Sequence, residues 1–288
     1  MDGILVVDKP RGLTSHDVVA AVRRAARMKK VGHAGTLDPL ATGVLVLALG
    51  KATRTLEYLT AHDKSYDATV RLGQSTDTYD AEGTIVATHP GPLPTQTEVE
   101  AALEPFRGEI EQVPPIFSAI KQGGEALYEK ARRGEVVEVA PRPVAIYHLA
   151  LTEWQPPDLS VRVHCSKGTY IRSLAHDLGQ ALGVGGHLTA LRRVASGSFA
   201  LAQAHPLEAI TSATPDEIEA LLLPAGAGLD TLPALLVGEA EIAELRHGRA
   251  LPAEQGEGIV RALDAEGQLV AILRWEPERG WQPDKVFI

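Results

Sequence analysis

Between residues 32 and 43 the chain reads Gly32-His33-Ala34-Gly35-Thr36-Leu37-Asp38-Pro39-Leu40-Ala41-Thr42-Gly43, with three glycines, a proline, one histidine and one carboxylate in twelve positions. A glycine-rich segment carrying a lone acid and an imidazole is where a loop becomes a site. Composition alone favours the bland roles: Asp38 ahead of Pro39 as a turn-stabilising Asx residue, and His33 as a structural histidine. The sharper alternative makes Asp38 a catalytic carboxylate.

Other chemistries lack their residues. Lys51 follows Gly50, but Ala52 comes next and no GxxxxGK[ST] loop exists. Gly183-Val184-Gly185-Gly186 follows a helical pattern rather than a strand and reads as a helix stop, not a dinucleotide fingerprint. Neither GxSxG nor HExxH occurs. The single Cys165 builds neither a disulfide nor a Cys-rich zinc site. Any activity is therefore expected to need no metal and no nucleotide cofactor.

The elements around the loop are legible. Gly3 to Asp8 reads as a short buried strand ended by Lys9-Pro10, and Thr14 and Ser15 are candidate caps for a helix over 16–28. On that helix Val18, Val19, Val22 and Ala26 share one face, with Arg23, Arg24 and Arg27 on the other. After the loop, Val44 to Leu49 is a continuous apolar run bounded by glycines, as expected of a strand buried on both faces. Strands are predicted at 66–72, at 83–87 pairing with it across an acidic turn, and at 159–165; helices at 97–105, 124–133 and 169–182. Strands and helices mixed without β-α-β spacing predict an α+β domain with a mixed or antiparallel sheet. A turn-rich cluster from Leu223 to Asp230, followed by Pro233, predicts a boundary near 225–233. Beyond it lie short strands at 235–237, 259–263 and 268–275 and a helix at 239–246.

Length and charge bound the function. The 288 residues suggest roughly two domains, and the 44% apolar content supports packed cores. The longest apolar run is far too short to span a membrane, and Met1-Asp2-Gly3 lacks the basic start of a signal peptide. A cytoplasmic protein is expected. The net charge of -9 counts against a polyanion partner only on average. Residues 1–60 hold nine basic against five acidic side chains and residues 151–200 five against three, so positive charge gathers in two blocks.

Those two blocks carry extended motifs. The opening GILVVDKPRGLTSHDVV and the loop GHAGTLDPLATGVL are followed by Asp63-Lys64-Ser65-Tyr66, by Arg71 to Gly83, by Gln112 to Lys121, by Cys165 to Leu174 and by Leu191-Arg192-Arg193. In this order they resemble the TruB family of pseudouridine synthases, which isomerise the uridine at position 55 in the T loop of transfer RNA. The resemblance covers roughly residues 3–200. It implies a pseudouridine synthase fold for residues 1–228 and a small, mostly β, PUA-like domain for 233–288, the latter a looser match.

By that resemblance Asp38 is the essential carboxylate, attacking or deprotonating the ribose so that the base detaches, rotates and rejoins through carbon. One carboxylate suffices because an isomerisation has no external water to activate, whereas a glycosidase ordinarily needs a second acid about 5–10 Å away. Arg172 matches the arginine that pairs with it, and a guanidinium lowers a carboxylate pKa and fixes its orientation. Tyr66 matches the tyrosine that stacks on the target base and helps remove the carbon-bound proton. His33 matches the residue that fills the gap left by the extruded base. Tyr170 and Leu191 match positions lining the uracil pocket and Lys9 lies in the first motif; core packing competes evenly for these three.

Residues 121–143, with Lys121, Lys130, Arg132, Arg133 and Arg142, resemble a segment that closes over the tRNA T stem-loop, and Arg132 and Arg133 are expected to bind its phosphates. Interleaved Glu125, Glu129, Glu135 and Glu138 make a solvated charged face the competing view. Residues 230–288 hold six basic and eleven acidic side chains, which argues against strong backbone binding by the tail. The resemblance favours a monomer. Two other function classes stay open: a non-catalytic tRNA-binding or tRNA-folding module, and a nucleosidase-like hydrolase that would release free uracil.

Overall fold

The structure is a computed structural model that describes residues 1–118, 121–123, 125–126, 133 and 139–288. Among the described residues the largest unit is a mixed sheet. Its strands run in the spatial order His205–Pro206, Gly3–Lys9, Thr42–Leu49, Gly186–Ser196, Lys64–Leu72, Asp158–Cys165, Arg142–Gln155 and Gly108–Gln112. Val31–His33 adds to Thr42–Leu49, and Phe199–Ala200 to Gly186–Ser196. Two pairings are parallel, Gly3–Lys9 with His205–Pro206 and Thr42–Leu49 with Gly186–Ser196; the rest are antiparallel. The α+β expectation is met by this mixed sheet with helices and a separate small C-terminal sheet.

The continuous apolar runs have a direct cause. Leu5, Val7, Leu45, Leu47 and Leu49 belong to the core beneath the first helix, Ser15–Ala25, and the helix Ile171–Ala181. Their alternates Ile4, Val6, Val44, Val46 and Ala48 pack on the opposite face with Leu269, Ile272 and Phe287. Both faces are covered, so neither can be polar.

The first helix begins where the sequence predicts, at a capping box in which Thr14 and Asp17 satisfy each other's backbone N–H. It ends at Ala25, three residues short of the predicted 28, because Arg27 turns left-handed (φ 52°). The expected strand at 83–87 is Ile85–Thr88, and it pairs with Gln74–Thr76 rather than with 66–72. Lys64–Leu72 already has neighbours on both edges. Positive-φ Gly73 then turns the chain away. The helix predicted over 124–133 falls largely outside the described residues, of which 125–126 is a short strand pairing with 121–122.

The C-terminal sheet runs Ala234–Leu236, Ile259–Leu263, Leu269–Glu276 and Gly280–Val286, with the helix Glu239–Arg246 alongside. No helix among the described residues is long and apolar enough to cross a membrane.

Candidate active site

The loop carrying Asp38 links Val31–His33 to Thr42–Leu49 and is tied down from three directions. From the first helix, Ser15 Oγ donates to the Leu37 carbonyl (3.1 Å) and accepts from the Leu37 N–H (2.8 Å). From the first strand, Lys9 Nζ donates to the carbonyls of Ala41 (2.7 Å), Pro10 (2.9 Å) and Pro39 (3.5 Å). From Gly186–Ser196, the Arg193 guanidinium donates to Val44 (2.6 Å), Gly35 (3.1 Å) and Thr36 (3.4 Å). Gly43 must be glycine: its φ is +97° and a Cβ would sit 2.2 Å from the Arg193 carbonyl.

Asp38 faces a cleft of about 1200 Å³. Arg172, the second residue of the helix Ile171–Ala181, brings Nε to 2.9 Å from Asp38 Oδ2. The contact is a close ion pair whose N–H is not aimed along a hydrogen-bond direction. The other end of the guanidinium donates to the carbonyls of Phe117 (2.9 Å) and Thr78 (3.3 Å), and Asp80 Oδ2 lies 3.6 Å from it. Arg172 is 6% exposed, whereas Asp38 keeps 38% of its side chain open to the cleft.

The electrostatics differ from the sequence expectation. Burial of the Asp38 carboxyl outweighs the pull of Arg172, and with Asp80 adding repulsion its pKa lies above the ordinary 3.8 rather than below it. Lys9 also pulls it down, by less than burial lifts it. Glu82, on the same cleft wall, is raised by burial and by Asp80 and Asp38.

Tyr66 lines the cleft from Lys64–Leu72, opposite Arg193 in register, and burial pushes its hydroxyl pKa up. Leu191 and Tyr170 line it too. Tyr170 caps the helix Ile171–Ala181 without a side-chain bond of its own; the buried Gln112 amide instead accepts from its N–H (2.8 Å) and donates to its carbonyl (3.0 Å). His33 stands outside this lining, with its ring edge-on to His16, a lining residue, at 5.5 Å between centroids. Burial, His16 and Arg193 depress its pKa to about 4, so the ring is neutral near pH 7.

Lys9 departs from its expected substrate-binding place. It is fully buried and spends its ammonium on loop carbonyls, so it positions Asp38 from behind. Arg132 lies outside the described residues; Arg133 is described and pairs with Glu125, away from the cleft lining. Sequence reasoning missed Arg193, Ser15, Gln112 and Asp80. All four lie inside quoted motifs, Ser15 in the opening segment, Asp80 in Arg71 to Gly83, Gln112 at the head of Gln112 to Lys121 and Arg193 at the end of Leu191-Arg192-Arg193, but a motif does not say which carbonyl, N–H or guanidinium each side chain meets. Among the described residues no three His, Cys, Asp or Glu side chains converge to hold a metal.

Residues 23–171 match the model of the TruB family pseudouridylate synthase N-terminal domain. Residues 172–230 match the tRNA pseudouridylate synthase B C-terminal domain, and 232–288 the tRNA pseudouridine synthase II C-terminal model. The chain is 46% identical to the tRNA pseudouridine synthase B of Arthrobacter sp. strain FB24, over 95% of this chain and 92% of that one. It is 47% identical to the enzyme of the same name from Solibacter usitatus, over 94% and 95%. Among solved structures it is similar to a chain of an H/ACA ribonucleoprotein bound to a substrate RNA containing 2'-deoxyuridine, with TM-score 0.76 and 27% identity, covering 99% of this chain and 85% of that one.

Proposed function

The chain belongs to the TruB family of pseudouridine synthases, and we propose from that membership and the cleft geometry that it isomerises uridine 55 in the T loop of tRNA to pseudouridine. The observation that carries the reading is Asp38 Oδ2, 2.9 Å from a buried arginine, in a cleft of about 1200 Å³. That exceeds the ~300–1,000 Å³ usual for small-molecule pockets and leaves room for an extruded nucleotide with its neighbours.

In the proposed reaction the target uridine leaves the T loop, at a cost of about a few kcal/mol, and enters between Tyr66, Leu191 and Tyr170. Asp38 acts on the ribose either by adding to C1′ or by removing the C2′ proton; both routes need it ionised. The C1′–N1 bond breaks and the uracil turns; C1′ then bonds to C5 as the Asp38–C1′ bond breaks or, on the other route, as the proton taken by Asp38 returns to C2′. The C5 proton leaves and N1 takes one up, so substrate and product have the same composition. Tyr66, held neutral by burial, offers its ring as a stacking face and its hydroxyl as a proton relay rather than as a standing phenolate. Arg172 holds the carboxylate in place, and neutral His33, next to the lining residue His16, is suited to stack where the base has left.

That a similar chain belongs to a ribonucleoprotein bound to a substrate RNA supports RNA as the occupant. We assign residues 1–228 to the reaction and 233–288 to a docked PUA-like accessory, with the working unit a monomer in the cytoplasm. Arg132 and Arg133 are assigned to phosphates of the T arm. The test is Asp38→Asn, assayed by tritium release from 5-tritiated uridine in a T-arm hairpin alongside hairpin binding. Turnover is expected to vanish with affinity kept. Retained turnover overturns the reading, and free uracil in place of pseudouridine would make the protein a hydrolase.

A further inference from the structure

Tyr79 has a left-handed backbone (φ 65°), a conformation that is costly for any residue with a Cβ. It is held there by its neighbours. Its carbonyl accepts from the Leu188 N–H (3.0 Å), and the Ala81 N–H donates back to the Leu188 carbonyl (2.8 Å). Its ring lies flat on His176, with centroids 3.9 Å apart and planes 12° from parallel. His176 Nδ1 is buried with no hydrogen-bond partner among the described residues, so the stack is what orients that imidazole.

The placement matters because Arg172 and His176 are four residues apart on one helix and project along the same side. The residues flanking Tyr79 grip Arg172: the Thr78 carbonyl accepts from it at 3.3 Å, and the Asp80 carboxylate stands 3.6 Å away. One left-handed residue thus turns the chain so that a carbonyl and a carboxylate meet the guanidinium while its ring seats on the next turn of the helix. Asp80 is fixed in the same turn, accepting from Thr78 Oγ1 (2.7 Å) and the Glu82 N–H (3.0 Å).

We propose that Tyr79 is a positioning residue for Arg172, its stack on His176 and its left-handed backbone together clamping the guanidinium that holds Asp38. This rests on the assignment of Asp38 and Arg172 to the reaction. Loss of the ring lets the Thr78–Asp80 turn and the helix drift apart, and a misplacement on the order of 1 Å at a reacting group costs about 100-fold in rate.

The test uses the full chain and two readouts, the order of the Arg172 Nε–H by ¹⁵N relaxation without RNA, and single-turnover tritium release from the T-arm hairpin. Tyr79→Gly permits the left-handed backbone without strain and removes the side chain, and His176→Ala removes the stack with Tyr79 and its backbone type unchanged. Each is expected to mobilise Arg172 and to slow turnover about 10- to 100-fold with hairpin affinity unchanged. Combining them should cost no more than either alone. Tyr79→Phe and His176→Phe, which keep a stack, should restore both readouts, and the His176 pair decides the matter if Tyr79→Gly does not fold. An Arg172 signal as ordered in the variants as in the parent overturns the clamp. A mobilised Arg172 with unchanged turnover overturns the assignment of Arg172 to the reaction, and the positioning role with it.

Discussion

Arg193 reaches from the strand Gly186–Ser196 under the loop of Asp38, and its Nη2 donates to the Gly35 carbonyl at 3.1 Å while Nε donates to Val44 at 2.6 Å. The two bonds leave from different nitrogens of one rigid fork, so Arg193 meets the loop at Gly35 and the strand at Val44 together, whereas a lysine on the same stem has all its N–H groups on one nitrogen and loses the Nε contact. Arg193→Lys is therefore expected to slow single turnover about 10- to 100-fold. Arg193→Met should in addition destabilise the fold by about 1–3 kcal/mol through the carbonyls left unpaired. Urea denaturation and single-turnover kinetics measure the two effects; a variant that turns over normally would remove Arg193 from the loop's support.

Lys9 supports the loop from the other side, fully buried on the carbonyls of Pro10, Pro39 and Ala41. Burial lowers its pKa to about 8, below the unfolded 10.5, so the unfolded chain binds more protons between those values and Lys9's contribution to stability rises with pH through that window. Lys9→Met should lose the slope above pH 8 and should slow turnover. A direct phosphate contact would instead show as a smaller salt dependence of hairpin binding, which Lys9→Met is expected to leave as it is.

The parts of the fold that were legible owe it to two-sided burial. Gly3–Lys9 and Thr42–Leu49 read as unbroken apolar runs because helices cover one face and the C-terminal sheet the other. Arg142–Gln155 was not legible as one long strand, since register shifts between Ile146 and His148 and between Leu151 and Glu153 break its alternation. Gly186–Ser196 hides likewise behind two arginines and its own shifts. Asp38 and Arg172 came from motifs far apart in the chain, which long-range pairing brings to 2.9 Å. The direction of the Asp38 pKa did not, because it depends on how much protein surrounds the carboxyl, and no local pattern encodes that.

Raising the Asp38 pKa makes the ionised site a cost to the fold. The folded value lies above the unfolded one, so the native state binds more protons and Asp38 destabilises progressively as pH rises from about 4 through the folded pKa. Asp38→Asn removes this, and thermal melts from about pH 4 to 8 should show the variant gaining on the parent toward neutrality while losing turnover. Parallel melting curves would mean that Arg172 cancels burial, and a variant losing ground to the parent toward neutrality would mean that Arg172 outweighs it.

His33 has the opposite titration. Its folded pKa of about 4 lies below the ordinary 6.5, so the unfolded chain takes up more protons between the two and stability falls as pH drops through that range. His33→Phe should flatten that slope and, by keeping a flat ring beside His16, retain most of the turnover. His33→Ala should flatten the slope equally but lose turnover. Equal activity in the two variants would refute stacking as the role of this side chain.

Phe287 ties the tail to the main sheet. It is 8% exposed and shares a core with Ile4, Val6, Val44 and Val46, together with Leu269 and Ile272 of the C-terminal strands. The polar contacts at the same junction, Tyr58 with Asp284 (2.9 Å) and Lys285 with Glu57 (3.1 Å), involve exposed partners and contribute little. The apolar contact therefore dominates the docking. Phe287→Ala should cost about 3–5 kcal/mol and lower the melting temperature by roughly 6–20 °C. Because the strands that flank the Asp38 loop lose their second cover when the tail lifts, tail and main sheet should unfold in one calorimetric transition. An early, separate transition in the parent protein would show the two to be independent, and Tyr58→Phe lowering the melting temperature as much as Phe287→Ala would move the dominant contact to the polar pair.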